Sequence, residues 1–321
     1  MTTITATPIL RSRHADQPDK ILSTLLLRYP RCIHAELMTH RLFSRNAASS
    51  RAIPVSKLIQ DVMENPFIPI YWGKNQKGMQ AFEECNELVL ANWDDEIDEE
   101  DYLTREDAWL MARNDMVRMA EGFQNAGYHK QIVNRLLEPF AHITVLVSST
   151  QWSNFIALRD HPDAEPHIQI LAQKVKEQLD RDDNIQTLEA GHWHTPFVTD
   201  DDHERIHDHL FGVGYSGGYG PFEVELILDL ARKLSVARCA STSYKTVDGF
   251  EMTIERAIDL HDKLVGAQPL HASPCEHVAQ ADEYRDGAKY GLFREGWMNP
   301  NLHGNFEGFC QYRKMLPNEC L

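Results

Sequence analysis

Residues 21–51 decide the predicted fold, and they read ILSTLLLRYPRCIHAELMTHRLFSRNAASSR. The run 21–27 is apolar and compatible with a β-strand. Two further apolar stretches follow at 30–40, and the segment 41–51 is rich in arginine and hydroxyl groups. The sequence therefore predicts a strand that delivers a polar loop.

The predicted polar loop has the chemistry of an anion site. Residues 40–51 offer three arginines, several serines and an asparagine. Guanidinium groups bind phosphate oxygens in bidentate geometry, and serine hydroxyls add short hydrogen bonds. The residue types predict a nucleotide phosphate or a diphosphate as the ligand, and a solvated basic loop is the alternative that they leave open.

Most of the chain after this loop is predicted to be helical, because apolar residues recur at helical spacing. An acidic run at 94–101 marks a solvated break, and 66–77 is predicted to be a loop. A terminal element is expected at 306–315. The predicted helices are 53–59, 79–125 on both sides of the acidic run, 129–140, 144–178 with a turn at 160–166, 221–235 and 253–265.

A segment rich in glycine, histidine and aspartate at 181–220 is the predicted linker between two sequence halves. The halves are 1–180, which carries the arginine-rich segment, and 221–321. A chain of 321 residues that is 42% hydrophobic can form one large domain or two ordinary ones. We expect both halves to form one domain.

The charge balance argues against long nucleic acid as a partner. With 32 basic and 48 acidic residues the formal net charge is -16, which repels a polyanion, whereas a small anion needs only a few arginines. The six cysteines form no C-x-x-C pair, which predicts free thiols in a reducing compartment. No apolar run reaches the ~20 residues that span a bilayer, so we expect a cytoplasmic protein without membrane contact.

One short pattern points to a different function. His203-Glu-Arg-Ile-His207 matches the His-Glu-x-x-His order of zinc proteases, in which both histidines share a helix face. A zinc hydrolase needs a third ligand and a substrate cleft, and the glycine-rich surroundings indicate no helix long enough to present the pair. We expect a solvated or loosely metal-binding loop here, and no dedicated metal site.

The segment HRLFSRNAASSR at 40–51 resembles the arginine signature of the flavin-dependent thymidylate synthases. The preceding residues 25–38 are similar to the strand that leads into that signature. Three positions depart from it. Thr39 replaces the first arginine, Glu36 stands where the family usually has glutamine, and Ala47 stands where it usually has glutamate.

Further blocks resemble the same family. They are RLLEP at 135–139, WSNFIALR at 152–159, AEPHIQ at 164–169, ASTSY at 240–244 and HASPCEH at 271–277. In the family the last two precede the arginine signature, whereas here they follow it, so the chain resembles a phage-type member with a circularly permuted motif order. Ser273 and Pro274 also suit a helix start, with Ser273 as the N-cap.

The resemblance implies an α/β fold, with a central mixed or antiparallel sheet flanked by helices, and a homotetramer whose sites combine several subunits. It implies reductive methylation of dUMP to dTMP in the cytoplasm, with FAD as cofactor and with NADPH and methylenetetrahydrofolate as co-substrates.

The resemblance also implies site residues. Arg159 is the implied catalytic residue, because it would stabilise negative charge on the pyrimidine. The implied flavin-binding residues are His40, Arg41, Asn46, Asn154, Ser243, His271 and Ser273. The implied substrate-binding residues are Glu36, Ser49, Ser50, Arg51, Arg135 and Arg159.

Two other functions stay open at this point. The departures at Glu36 and Ala47 change the hydrogen-bond polarity near the nucleotide, so one alternative is methyl or hydroxymethyl transfer to another pyrimidine nucleotide such as dCMP. The other is a catalytically silent protein that binds flavin or nucleotide. A polar and aromatic cluster at 305–314, outside the family motifs, either approaches the site or caps the core.

Overall fold

The computed structural model describes residues 4–91, 102–215, 217–242, 252–286, 295–317 and 319. It is a mixed α/β structure whose main sheet is mostly antiparallel and flanked by helices, which confirms the predicted fold class. Among the described residues, no helix is long and apolar enough to cross a membrane.

The strands, in chain order, are β1 (Thr5–His14), β2 (Ile21–Pro30), β3 (Ser44–Ala47), β4 (Val89–Leu90), β5 (Tyr102–Leu103), β6 (His142–Ser149), β7 (Ile185–Leu188), β8 (Trp193–His194), β9 (Ala279–Ala281), β10 (Tyr284–Arg285), β11 (Gly296–Trp297) and β12 (Phe309–Gln311). The α-helices are α1 (His34–Leu37), α2 (Val55–Glu64), α3 (Arg105–Asn125), α4 (Lys130–Val133), α5 (Ser153–Arg159), α6 (Pro166–Leu179), α7 (Asp200–Phe211), α8 (Pro221–Ser241), α9 (Ile254–Val265) and α10 (Tyr312–Met315). Short 3₁₀ segments lie at Arg31–Ile33, Asn134–Leu136, Glu138–Phe140, Ser273–His277 and Pro300–Leu302.

The main sheet has the strand order β3-β6-β2-β1-β7. β1 and β2 form an antiparallel hairpin, and β6 pairs antiparallel with both β2 and β3. β7 is the exception, because it runs parallel to β1. The arginine-rich segment thus supplies one edge of the sheet, and the segment near residue 186 supplies the other.

One face of the sheet carries the largest apolar cluster. Leu25 and Leu27 of β2 lie beside Val145 and Val147 of β6, and residues of helices α5 and α6, among them the buried Phe155, pack in the same cluster. Side chains of this size contribute about 1.5–3 kcal/mol each when fully buried. This packing fixes α5, and therefore the position of Arg159 at its end.

The opposite face of the sheet is covered by a different set of elements. The 3₁₀ segment Ser273–His277 packs on β3 and α8. A three-stranded sheet of order β12-β9-β8 lies beside it, and Phe309 of that sheet packs on Leu22 of β2. Several buried side chains at this interface are polar, which requires internal hydrogen-bond partners.

Several predicted elements are confirmed. The strand at 21–27, the helix start at Pro54 and the helices at 221–235 and 253–265 all appear as β2, α2, α8 and α9. The prediction of unpaired cysteines is also confirmed where the structure describes them, since Cys32, Cys85, Cys239, Cys275 and Cys310 are free.

Other predicted elements are wrong. The predicted loop 41–51 contains β3, whose alternate residues Ser44 and Asn46 are buried and hydrogen-bonded within the protein. The start of the predicted helix 144–178 is strand β6. The sequence did not indicate this strand, because a strand that is buried on both faces shows no alternation of polar and apolar residues. Residues 79–91 hold turns and β4, and 129–140 holds only α4 and short 3₁₀ segments.

The segment 181–220 contains regular structure in its described part. It holds β7, β8 and α7, and β7 adds to the main sheet. Helix α7 begins with a capping box, in which Thr199 accepts from the Asp202 N–H and Asp202 accepts from the Thr199 N–H. The expectation that no helix presents His203 and His207 is therefore wrong.

Candidate active site

Arg159 lies at the centre of a polar group that joins distant parts of the sequence. Its NH1 donates to Oε2 of Glu36 at 2.8 Å, and its Nε donates to Nε2 of His40 at 3.1 Å. Its NH2 donates to Oγ1 of Thr39 at 3.3 Å. The structure thus brings together three predicted site residues, Glu36, His40 and Arg159, and adds Thr39.

Packing on both sides holds this group in place. Arg159 is the last residue of α5, and Phe155 one turn earlier is buried against Phe43 and Trp152. The His40 ring stands edge-on to Phe155, with ring centroids 5.0 Å apart. The site is therefore built on a helix end and a rigid aromatic cluster, which limits the movement of its side chains.

The charge state of His40 follows from its surroundings. Burial lowers the pKa of His40, and the nearby guanidinium groups of Arg159 and Arg45 lower it further. A neutral imidazole that accepts from the Arg159 Nε–H must carry its own proton on Nδ1. His40 therefore acts as a neutral acceptor that orients Arg159.

Arg45 has a structural role that the sequence did not reveal. Its NH1 donates to the carbonyl oxygens of Met38 at 2.9 Å and of His40 at 3.3 Å. These carbonyls lie in the turn that follows α1. Arg45 thus holds the segment that carries Glu36 and His40.

A second group joins two more predicted residues, Ser50 and Arg135, through Glu138. Oε1 of Glu138 accepts from the Ser50 hydroxyl at 2.6 Å and from Arg135 NH1 at 3.1 Å. Arg31 adds a further contact at 3.2 Å. The Glu138 carboxylate is thus held between two arginines and a serine. Sequence reasoning missed Glu138 and Arg31, because neither belongs to the conspicuous arginine-rich segment.

Asn46 lies on the opposite face of the sheet. Its Nδ2 donates to the carbonyl of Cys239 at 2.6 Å and to Oγ1 of Thr242 at 3.3 Å, and the residue is only 8% exposed. Asn46 thus ties β3 to the end of α8. Ser243, which was predicted to contact flavin, lies outside the described residues.

The remaining predicted residues lie mostly at the surface. Ser49 is half-buried, and its carbonyl accepts from the Ala52 N–H. The prediction that Ser273 caps a helix is wrong, because the cap position of the 3₁₀ segment is Ala272 and no side chain bonds there. The exposed predicted residues are Arg41, Arg51, Asn154, His271 and Ser273.

The cluster at 305–314 docks onto β3. Nε2 of Gln311 donates to Oγ of Ser44 at 3.1 Å and to Oδ1 of Asn305 at 2.9 Å. Arg313 pairs with Glu276 of the 271–277 block. The 305–314 cluster therefore links β3, which carries part of the arginine signature, to the 271–277 block.

Two groups have the residue types of a metal site. His203 is exposed on α7, while His207 packs among the rings of Phe211, Tyr215 and Tyr219. In the described part of the chain, a buried trio has ligand atoms within 4.8 Å of one another, and it consists of Asp282, His303 and Cys310. Sequence reasoning did not single out this trio.

Hydrogen bonding accounts for the buried trio without an ion. Nδ1 of His303 accepts the Gly308 N–H at 3.4 Å, so the ring proton is on Nε2, which donates to Asp282 at 2.9 Å. Asp282 also accepts from the backbone and side chain of Asn299, each at 2.8 Å. The Nε2 lone pair that a cation needs is therefore not available in this arrangement.

No family model matches the chain, and no curated protein matches its sequence. Solved structures that resemble it include a UMP/dUMP methylase, PolB from Streptomyces cacaoi, bound with 5-Br UMP. That likeness has a TM-score of 0.38 and 13% identity, and covers 58% of this chain and 91% of the other. Another is the flavin-dependent thymidylate synthase ThyX from Helicobacter pylori, complexed with FAD and dUMP. That likeness has a TM-score of 0.31 and 16% identity, and covers 52% of this chain and 75% of the other.

Proposed function

We propose that the chain is a flavin-dependent enzyme of the thymidylate synthase type, which methylates dUMP to dTMP with methylenetetrahydrofolate and NADPH. The observation that carries this proposal is the bonding of Arg159 to Glu36, Thr39 and His40. Two sequence blocks that resemble the same family, 119 residues apart at His40 and Arg159, thereby meet in one polar group. We further propose a cytoplasmic homotetramer.

Arg159 would act on the pyrimidine by electrostatics. Its guanidinium donates hydrogen bonds only, so it stabilises negative charge on O2 and N3 as the ring ionises. A preorganised donor of this kind is worth about 10²–10³ in rate. Because His40 and Thr39 hold the guanidinium from two sides, little reorganisation is needed when the nucleotide binds.

The residues assigned to FAD by resemblance divide by exposure. Arg41 and His271 are exposed and fit the diphosphate of an anionic cofactor, and Asn154 is an exposed hydrogen-bonding group. His40 and Asn46 already bond within the chain, so they position their neighbours. Bound flavin would supply the hydride, while the protein supplies binding and orientation.

The phosphate of the nucleotide would bind at the group around Glu138. Ser50, Arg31 and Arg135 already converge there on a carboxylate. A phosphate that replaced this carboxylate would keep the same donors and, with its greater negative charge, strengthen the charge-assisted hydrogen bonds from the two arginines. Ser49 and Arg51 flank Ser50 in the sequence and would extend the phosphate site.

The test begins with the absorption spectrum of the purified protein, followed by anaerobic NADPH oxidation with dUMP, with dCMP and with no nucleotide. We expect a flavin spectrum, bound or after FAD is added, and reduction that depends on a pyrimidine nucleotide. A colourless protein that takes up no FAD contradicts the proposal. Binding of flavin without turnover assigns the chain to a silent binding protein instead. Light scattering of the same sample measures the subunit number.

Glu36 favours a second candidate function, in which the substrate is dCMP. The Glu36 carboxylate only accepts hydrogen bonds, and Arg159 beside it only donates them. Cytosine has acceptors at O2 and N3 and a donor at N4, so its edge complements two arginine N–H groups and a carboxylate oxygen. Uracil has an acceptor at O4, which a carboxylate repels. Methyl or hydroxymethyl transfer to dCMP fits this pair of side chains.

The substitution Glu36→Gln separates the two candidates, because an amide can donate to O4. If dCMP is the substrate, we expect Glu36→Gln to shift the ratio of kcat/KM for dCMP to that for dUMP toward dUMP by about 10-fold or more. Glu121→Gln, at an exposed position on α3, is the matched control. A wild-type protein that turns over only dUMP rejects the dCMP candidate.

A further inference from the structure

A row of hydroxyl groups crosses the main sheet beneath two buried histidines. Ser12 of β1, Thr24 of β2 and Ser148 of β6 carry the hydroxyls, and His194 of β8 and His277 lie over them. All five residues are 0% exposed. Buried polar groups of this kind require partners, so the hydrogen bonds within the row can be followed atom by atom.

The row begins at the sheet edge with Gln186 of β7, which is exposed. Nε2 of Gln186 donates to Oγ of Ser12 at 2.8 Å. Oγ of Ser12 lies 2.6 Å from Nδ1 of His194. Since an amide nitrogen is a donor only, Ser12 accepts from Gln186 and turns its own proton toward His194.

The row continues into the interior. Nε2 of His194 lies 2.8 Å from Oγ1 of Thr24, which lies 2.6 Å from Oγ of Ser148. Oγ of Ser148 lies 2.8 Å from Nδ1 of His277. The other nitrogen of His277, Nε2, is buried and has no partner among the described residues.

Both histidines are neutral, because burial lowers the pKa of each imidazole to about 3. Each member of the row then has one proton to place. If Ser12 donates to Nδ1 of His194, the proton of His194 is on Nε2 and is donated to Thr24. Thr24 in turn donates to Ser148, and Ser148 donates to Nδ1 of His277. The proton of His277 must therefore be on Nε2.

We propose that Gln186 is a positioning residue that sets the tautomer of His277 through this row. The donor at the exposed edge of the sheet orders every hydrogen bond in one direction and places an N–H group at His277 Nε2. His277 then offers a donor, suited to a carbonyl oxygen or an unprotonated ring nitrogen, at the junction of the 271–277 block with β3 and α8. This assignment does not depend on the proposed reaction.

Gln186→Glu reverses the row in a defined way. A carboxylate accepts only, so Ser12 would donate to the introduced carboxylate and accept from Nδ1–H of His194. Thr24 would donate to Nε2 of His194, and Ser148 would donate to Thr24. His277 would then donate from Nδ1 and keep a bare lone pair on Nε2. No proton enters or leaves the row, because each group keeps one.

The test is the tautomer of each histidine, read from long-range ¹H–¹⁵N correlation spectra of the ¹⁵N-histidine-labelled full chain at pH 7. His194→Gln and His277→Gln assign the signals. We expect Nε2–H for both rings in the wild type and Nδ1–H for both in Gln186→Glu. Gln280→Glu is the matched control, since Gln280 donates to the Gly191 carbonyl outside the row, and it should leave both tautomers unchanged.

Two results would overturn the assignment. The first is Nδ1–H at His277 in the wild type, which decides the matter even if the Gln186→Glu variant fails to fold. The second is a His277 signal that is the same in the wild type and in a folded Gln186→Glu variant, because the edge residue would then have no influence across the sheet.

Discussion

The guanidinium of Arg159 and the carboxylate of Glu36 form an ion pair with 2.8 Å between NH1 and Oε2, although 123 residues separate them in the sequence. The Arg159 and Glu36 side chains are 20% and 38% exposed, so solvent screens the pair and its net contribution to stability is small. In the proposed function the pair would matter for recognition of the pyrimidine, because it sets a hydrogen-bond donor and an acceptor side by side.

Arg159→Met tests the role of this pair in turnover. We expect kcat/KM for the pyrimidine nucleotide to fall by about 10²–10³, because a fixed donor beside developing negative charge is lost. Arg159→Lys should recover only part of the loss, since an ammonium cannot bond to Glu36, Thr39 and His40 in the same planar arrangement. Arg118→Met, at a 77% exposed side chain on α3, is the control. Unchanged kinetics in Arg159→Met would remove Arg159 from the reaction.

Acid should destabilise the fold through the two buried histidines. The pKa of His194 and of His277 is lowered from 6.5 to about 3 by burial, so the unfolded chain binds more protons than the folded chain between those values. Stability is therefore complete above pH 6.5 and is lost as the pH falls toward 3. Two such groups contribute about 2.7 kcal/mol per pH unit to the slope of the unfolding free energy.

The measurement for this prediction is the free energy of unfolding in urea at several pH values between 7 and 4. His194→Gln removes one titrating group and keeps polar atoms near Ser12 and Thr24. The slope of its unfolding free energy against pH should be smaller than the wild-type slope by about 1.4 kcal/mol per pH unit. Parallel slopes in the two proteins would show that His194 is not buried in the neutral form.

Asp202 should be a major contributor to the stability of the region around α7 and α8. Burial alone would raise its pKa, but hydrogen bonds from Arg238 and Thr199 outweigh burial and lower the pKa to about 2. Asp202→Ala leaves the Arg238 guanidinium without its carboxylate, and we expect a loss of about 3–5 kcal/mol in the free energy of unfolding. Asp200→Ala, at an exposed position in the same first turn, should cost less than about 1 kcal/mol. Equal losses in both variants would contradict this role.

Asp282 should act as a hydrogen-bond acceptor and not as a metal ligand. Asp282→Ala leaves the Asn299 and His303 donors unpaired, and we expect a loss of about 2–3 kcal/mol. Zinc added in equimolar amount should leave the melting temperature of the wild type unchanged, and Cys310→Ser should behave likewise. A zinc-dependent rise in Tm that Cys310→Ser abolishes would mean that the trio binds the ion.

Periodicity accounts for the parts of the fold that the sequence predicted. Helix α9 has one apolar face, helix α8 is a long run rich in apolar helix-forming residues, and β2 is an apolar run that ends at a proline, so local pattern was enough. Strand β6 was not predicted because it is buried along nearly its whole length, which removes the alternation that marks a strand. Strand β3 was not predicted because its inward residues, Ser44 and Asn46, are polar and hydrogen-bond with α8 and with the 305–314 cluster.

Part of the candidate site was predicted, from the family resemblance and not from periodicity. Resemblance named Glu36, His40 and Arg159, and the fold brings them together, although no spacing rule connects α1 and the turn after it with the end of α5. Glu138 and the row from Gln186 to His277 were missed. The contacts of the row depend on strand register and on which face of the sheet each side chain takes, and a one-residue shift in register would abolish them. The contacts of Glu138 join 3₁₀ segments and the turn after β3, which no local sequence pattern connects.

The parallel pairing of β7 with β1 has a consequence for synthesis of the chain. Gln186 and Ser12, which bond across these strands, are 174 residues apart. At about 5–20 residues per second, a ribosome needs roughly 10–35 s to make that interval. During this time the outer edge of β1 has no neighbour from its own chain, and such an open edge pairs readily with other polypeptides. Nascent chains stalled before residue 185 should therefore associate with chaperones or with each other far more than chains released after β7.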